Sequence, residues 1–177
     1  MPVTPSGYVG TVANLSPAQY AGSRTAIDFP SYLSGYFDGE GCFTVSISPR
    51  AKLKVRWEVR PSVSVSQNED RSQVLHLIES YFGCGTIRPD PGDKTVKWEV
   101  RSLGLILSRV IPHYRAWPVL SANQADFESF ASICDRMDRR EHRTREGLIE
   151  IVEIAAGMNP SGKRRFQPAE IITALSR

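Results

Sequence analysis

The chain has few residues for covalent bracing or soft-metal chemistry. Its 177 residues include three cysteines, Cys42, Cys84 and Cys134, and three histidines, His76, His113 and His142. The cysteine number is odd and the spacing fits no metal site, so the thiols read as reduced and packed. The histidines are too scattered for a His-based nuclease centre and read as surface or helix-end side chains. No apolar run is long enough to span a bilayer, and the Pro-, Gly-, Ser- and Thr-rich stretch 1–27 lacks the apolar segment of a secretion signal. Residues 1–27 are expected to form a flexible arm and residues 28–177 a single domain, in a cytoplasmic or organellar setting. Nor does one sign of charge dominate: 22 Lys and Arg against 19 Asp and Glu leave a formal net charge of +3. Bulk charge therefore announces no polyanionic partner, and the placement of the charges has to carry that argument. Hydrophobic content of 41% and charged content of 23% are ordinary for a soluble globular domain with one real core.

Hydrophobic periodicity lays out the elements. Asp28-Phe29-Pro30-Ser31 has a capping acid and a first-turn proline, which predicts a helix from about Pro30 to Glu40. Phe43, Val45 and Ile47 then alternate with Thr44, Ser46 and Ser48, a half-buried strand. After a turn near 49–52, Val55, Trp57, Val59, Val63 and Val65 alternate with Lys54, Arg56, Glu58, Arg60, Ser62 and Ser64. Pro61 suits an edge or a bulge in this second strand. A helix is expected over 69–82, ended by Gly83 and Gly85. A second hairpin spans 86–101, with Pro89-Asp90-Pro91-Gly92-Asp93 at its turn. Apolar helices follow over 102–114, 121–138 and 144–158. The order is helix, two strands, helix, two strands, helices, which is an α+β layout with a four-stranded antiparallel sheet backed by helices.

Alternation also lists the open sheet face. It carries Thr44, Ser46, Ser48, Arg50, Lys54, Arg56, Glu58, Arg60, Ser62, Ser64, Thr86, Arg88, Thr95, Lys97, Glu99 and Arg101. Basic and short hydroxyl side chains dominate, with Glu58 and Glu99 the exceptions. Such a ribbon suits the DNA major groove, where Arg and Lys read guanine and smaller polar groups read other edges. A solvated face with some excess of arginine is the plainer reading. Few aromatics are exposed there, which disfavours single-strand stacking.

The most informative stretch is Tyr32-Leu33-Ser34-Gly35-Tyr36-Phe37-Asp38-Gly39-Glu40-Gly41-Cys42-Phe43. Each glycine inside a helix costs about 1 kcal/mol relative to alanine. Gly35 and Gly39, four residues apart, share one face and bare a stripe against which another helix can pack. If that helix is a second copy, twofold symmetry brings two Glu40 side chains together. Clustered carboxylates need a neutralising cation, and a hard divalent ion takes oxygen ligands. The other reading of the segment is an ordinary buried helix ending on a glycine.

Leu33-Ser34-Gly35-Tyr36-Phe37-Asp38-Gly39-Glu40-Gly41 resembles the nine-residue signature of the LAGLIDADG homing endonucleases, and the strand beginning Cys42-Phe43-Thr44-Val45 is the sequel that family shows. The resemblance runs from about Pro30 to about Pro160. It implies the α-β-β-α-β-β-α homing-endonuclease fold, with the sheet forming a DNA-binding saddle and extra C-terminal helices. A single motif implies a homodimer, with Leu33, Gly35, Tyr36 and Gly39 in the interface, on a long near-palindromic duplex site. A ten-residue strand spans about 33 Å, so each half covers roughly ten base pairs.

The resemblance also assigns roles. Glu40 maps onto the acid that binds metal beside the scissile phosphates, with the Gly39 carbonyl nearby; the ion is Mg²⁺, with Mn²⁺ or Ca²⁺ able to occupy the same sites. Asp38 caps or braces the partner helix. Gln67, at the end of the second strand, takes the place of a water-positioning glutamine, with a strand-end or capping role as its alternative. DNA contacts fall to Ser46, Ser48, Arg50, Lys54, Arg56, Glu58, Arg60, Ser62, Ser64, Arg88, Lys97, Glu99 and Arg101. One departure matters: many relatives carry a lysine before the helix that starts here near Ser121. This chain has Asn123 instead, with Arg115 the basic alternative. The basic turn 158–165 resembles the family's phosphate-reaching C-terminal segment, with a solvated basic tail as its alternative. RNA maturase activity, or non-cleaving regulation on the same scaffold, remain the competing functions.

Overall fold

The structure, a computed structural model, describes residues 27–90, 94–160, 162 and 164–176. The expected arm over 1–27 lies outside these residues except for Ile27, as do the second-hairpin turn residues 91–93. Helix α1 (Phe29–Glu40) leads into β1 (Gly41–Pro49) and β2 (Trp57–Asn68). A 3₁₀ turn and α2 (Gln73–Phe82) precede β3 (Thr86–Pro89) and β4 (Thr95–Val100). Helix α3 covers 103–116, followed by α4 (Asn123–Asp138), α5 (Arg145–Ala156) and α6 (Pro168–Leu175). The sheet is antiparallel throughout, in the order β1-β2-β4-β3. This is the expected α+β arrangement.

The alternation read from the sequence has the right phase inside the strands. Phe43, Val59, Val63, Val65, Val96, Trp98 and Val100 are buried under the helices. Phe43 sits among Phe37, Tyr114, Phe127 and Phe130, with ring centroids 4.5 to 5.3 Å from its own. Pro61 pairs with Val45 of β1, while β4 takes up pairing only from Val63 onward. The proline thus stands where β2 has one neighbour, the edge condition expected of it.

Several boundaries differ from expectation. β2 begins at Trp57, so Lys54 and Arg56 are not in the ladder. Residues 50–56 form two successive tight turns: Leu53 N–H donates to Arg50 C=O (3.0 Å), Arg56 N–H to Leu53 C=O (2.9 Å), and Arg50 N–H to Arg56 C=O (2.7 Å). The helix over 103–116 contains a π turn at Ile106–Val110, just before Pro112. Proline lacks an N–H and clashes with the carbonyl four residues back; a wider turn relieves that contact. Helix α6 is an element the periodicity missed, although Gln167 and Glu170 form a reciprocal capping box with Pro168 at its first turn. His113 is no surface residue: it is 4% exposed, contacting Tyr81 OH through Nδ1 (3.0 Å) and Ser34 Oγ through Nε2 (3.3 Å). Burial lowers its pKa to about 4, so it packs as neutral imidazole. Among the described residues no helix is long and apolar enough to cross a membrane.

Candidate nucleic-acid interface and metal centre

Helix α1 divides its residues cleanly. Phe29, Leu33 and Phe37 fall four residues apart and are buried at 5%, 0% and 0% exposure. Gly41 is needed where the helix turns into β1, because a Cβ there would lie 2.3 Å from the Phe37 ring. The opposite side is bare. A Cβ built on Gly35 or Gly39 meets nothing within 4 Å. Glu40 is exposed at the helix end and has no hydrogen bond or ion pair among the described residues. Leu33 is therefore corrected from the expected interface: it belongs to the chain's own core, while Gly35 and Gly39 are exposed on the bare side and Tyr36 is half-buried.

Tyr36 is half-buried and joins the helix to the strand end. Gln67 Nε2 donates to its hydroxyl at 2.6 Å, and Gln67 Oε1 accepts from Asn68 N–H at 2.8 Å. Burial pushes the Tyr36 phenol up, Gln67's hydrogen bond opposes this, and the Glu40 charge adds to the rise. Tyr36 thus ties Gln67 to the neighbourhood of Glu40. Tyr32 stacks on Tyr36 with centroids 6.0 Å apart.

The Asp38 carboxylate, expected to cap or brace a partner helix, is engaged within its own chain. It accepts from Leu120 N–H (2.7 Å), Ser121 N–H (3.0 Å) and Ser121 Oγ–H (2.6 Å). Burial works against its ionisation, but the Ser121 hydroxyl and the two amides outweigh it and hold the carboxyl below its ordinary range. Asn123 Nδ2 donates to the Asp38 carbonyl at 3.0 Å, so it braces the helix end. Arg115 pairs with Asp135 at 3.2 Å. Both stand-ins for the missing lysine are engaged elsewhere. The loop that Asp38 holds presents Leu120, 90% exposed, and Trp117, 38% exposed. Sequence reading passed over both; two large apolar residues in a Pro-containing connection between helices were the available signal.

The open sheet face is more neutral than its arginine number suggests. Across β1 and β2, Ser46 stands opposite Arg60 and Ser48 opposite Glu58; across β2 and β4, Ser64 stands opposite Glu99. Glu58 receives Arg60 and Arg50, the latter at 3.0 Å. The Arg60 hydrogen bond, helped by Arg50, lowers the Glu58 pKa. Glu99 receives Arg88 and Arg101, the latter at 3.0 Å. Lys97 approaches Asp90 at 4.0 Å. Glu99 is only 8% exposed, so it is corrected from a base-contacting residue to a buried anchor for two arginines. Burial would raise its pKa, but Arg101, Ser62 and Arg88 more than offset that and lower it. Arg60, Arg88 and Arg101 remain exposed around the anchors, with Ser46, Ser48, Ser62 and Ser64 between them. Lys54 and Arg56 are exposed on the turn rather than on this face. In the C-terminal turn, Arg164 donates to the Ala156 carbonyl (3.0 Å) and to that of Met158. It caps a helix end; Lys163 lies outside the described residues.

At the end of α1 one chain presents one exposed carboxylate, Glu40, that has no hydrogen bond or ion pair among the described residues. Among the described residues no group of three or more His, Cys, Asp or Glu is placed to hold an ion. The donors at the end of α1 are oxygens, which fits a hard ion that keeps waters and takes one or two carboxylates together with substrate phosphates.

Known proteins resemble this chain in sequence and fold. The sequence model of the LAGLIDADG endonuclease family matches residues 33–134. A "probable intron-encoded endonuclease 2" of Neurospora crassa is 31% identical over 131 residues, 73% of this chain. The chain spans only 29% of the length of that relative. The homing endonuclease I-ApeII of Aeropyrum pernix is 29% identical over 150 residues, 81% of this chain and 88% of its own length. The crystal structure of the LAGLIDADG homing endonuclease I-LtrWI bound to target DNA superposes with a TM-score of 0.72 at 30% identity, covering 73% of this chain and 44% of that one. With its signature helix, four-stranded antiparallel sheet and a match over residues 33–134, the chain belongs to the LAGLIDADG endonuclease family.

Proposed function

We propose that this chain is a site-specific endonuclease that cuts double-stranded DNA as a homodimer, with a divalent metal at the end of each α1. The bare side of α1 carries the proposal: two open glycines beside an unpartnered Glu40, on a helix whose other side is fully packed. A second copy docked there places two Glu40 carboxylates near one axis. The proportions agree, because this chain matches 44% of a DNA-bound relative. Tyr32, Trp117 and Leu120, exposed around α1, extend the apolar rim of the seam.

Glu40 and the Gly39 carbonyl would hold Mg²⁺, or Mn²⁺ or Ca²⁺ in its place, against the scissile phosphate. Such an ion lowers the pKa of bound water and neutralises charge on the departing 3′ oxygen. Gln67, fixed by Tyr36 and Asn68, orients solvent beside Glu40. Arg50, Arg60, Arg88, Lys97 and Arg101 contact base edges and phosphates over each half-site, with Ser46, Ser48, Ser62 and Ser64 filling closer positions. Glu58 and Glu99 hold the arginines in place. Paired about the axis, the faces read a near-palindromic site of about twenty base pairs.

One observation favours a second reading, a scaffold that binds nucleic acid without cutting. Asn123 and Arg115 are both committed to internal contacts, so neither is free to take the place of the lysine many relatives carry. A randomised plasmid library, incubated with and without Mg²⁺, separates the two. The endonuclease reading expects Mg²⁺-dependent double-strand cuts by the wild-type chain and none by Glu40→Gln, with duplex affinity retained. Binding without cleavage by the wild-type chain would establish the second reading.

A further inference from the structure

At the end of the sheet remote from Glu40, four cations converge on one cleft. Lys54 and Arg56 come from the turn between β1 and β2, Arg143 from the 3₁₀ turn Glu141–Arg143, and Arg145 from the start of α5. With Trp57 they line a cavity of about 620 Å³, in which Glu146 is the acid. Among the described residues none of the four cations forms an ion pair. That sets them apart from Arg50, Arg60, Arg88 and Arg101, which are all tied to glutamates.

Two of these positions run against local preference. Arg56 has φ of 60°, the left-handed region that side chains with a Cβ disfavour and glycine accepts. Arg145 is the first residue of α5, at the positive end of the helix dipole, where an acid is favoured. Each choice lowers the stability of the isolated chain. Local costs gathered around one unpaired basic cleft point to an anionic ligand that compensates them.

The location selects the ligand. β1 runs nine residues outward from Glu40, about 30 Å, or roughly nine base-pair steps. The turn bearing Lys54 and Arg56 continues directly from the two strands of the proposed reading face. We infer that the cleft grips the sugar-phosphate backbone of duplex DNA beyond the outer end of each half-site, as a sequence-independent clamp. The inference rests on the DNA-binding reading above. It moves Lys54 and Arg56 from base recognition to phosphate contact and brings Arg143 and Arg145 into the interface.

The test measures affinity against salt, by fluorescence anisotropy, on a forty-base-pair duplex of random sequence. Wild type is compared with the double variant Arg143→Ala/Arg145→Ala and with Arg56→Gly. Removing one cation from a phosphate should flatten the log K against log [salt] slope by about 0.9. The double variant should therefore lose roughly two units of slope per chain and bind about tenfold more weakly at moderate salt. Arg56→Gly should lose about one unit while its melting temperature holds or rises. Library selection with the double variant should return the wild-type base preferences. A wild-type slope and affinity in the double variant would overturn the clamp, and so would a loss confined to particular sequences. A parallel arm uses random single-stranded RNA; loss of RNA binding with duplex binding intact would reassign the cleft to RNA. If the wild-type chain fails to bind duplex at all, the endonuclease reading falls with the clamp. If it binds and cuts while the double variant is unchanged, only the clamp falls.

Discussion

Phe29, Leu33 and Phe37, spaced along one side of α1, are at most 5% exposed, whereas on the other side Gly35 and Gly39 open onto empty space and Glu40 is exposed. The first side holds the helix on the sheet, through the Phe37 contact with Phe43 and Tyr114. The second does nothing for the isolated chain and gives up helix propensity at two positions. A segment that loses stability on one face while the other is fully packed is what the proposed seam requires. Asp38 marks the border: it lies between the two glycines in sequence, yet its carboxylate is spent on the loop before α4.

The largest effect expected is on the packed side. Phe37→Ala should cost about 3–5 kcal/mol of unfolding free energy, measured by denaturant titration; a cost below about 1 kcal/mol would mean that this side is not what anchors the helix. Next comes pH, through His113, which meets Ser34 of α1. Its folded-state pKa is lowered to about 4 from 6.5. The unfolded chain therefore binds the proton at higher pH. This contribution is complete above pH 6.5 and is lost as pH falls from there towards 4, by up to about 3 kcal/mol. Urea melts of wild type and His113→Gln across that range should differ in slope; parallel curves would place the imidazole in contact with water.

Asp38→Ala should cost about 1–2 kcal/mol through the loss of its charge-assisted hydrogen bonds. Glu40→Gln should leave thermal stability unchanged. That contrast sharpens the border between the two sides, and equal melting shifts would erase it. The smallest effect is the most discriminating in sign. In the monomer, Gly35→Ala places a methyl in open space and should stabilise the helix by up to about 1 kcal/mol. A destabilised monomer would show that something within the chain already covers the stripe.

Residues with a clear period were legible in the sequence, and residues whose state depends on a distant partner were not. The alternation of Phe43 through Ile47 and of Val59 through Val65 fixed the sheet phase, because one-residue slips expose the whole apolar row. The same alternation, extended back through Val55, misplaced Lys54 and Arg56. Local hydrogen bonds in the turn end the ladder at Trp57, and no side-chain period reports them. His113 looked like a helix-end residue until Tyr81 and Ser34, far away in sequence, supplied its partners. Glu99 looked exposed for the same reason, since its cover is the arginines themselves. At the candidate site, Glu40 and the two glycines were legible because they break helix rules locally. The internal use of Asp38, Asn123 and Arg115 was not, because each binds an element at a sequence separation that periodicity does not span.

The central claim is that the bare side of α1 is a seam between two copies of this chain. Sedimentation equilibrium of the wild-type chain and of Gly35→Leu at matched concentration tests it most directly. The account predicts twice the chain mass for wild type and the single-chain mass for Gly35→Leu, with both proteins folded by circular dichroism. A monomeric wild type, or a Gly35→Leu dimer as tight as wild type, would contradict it.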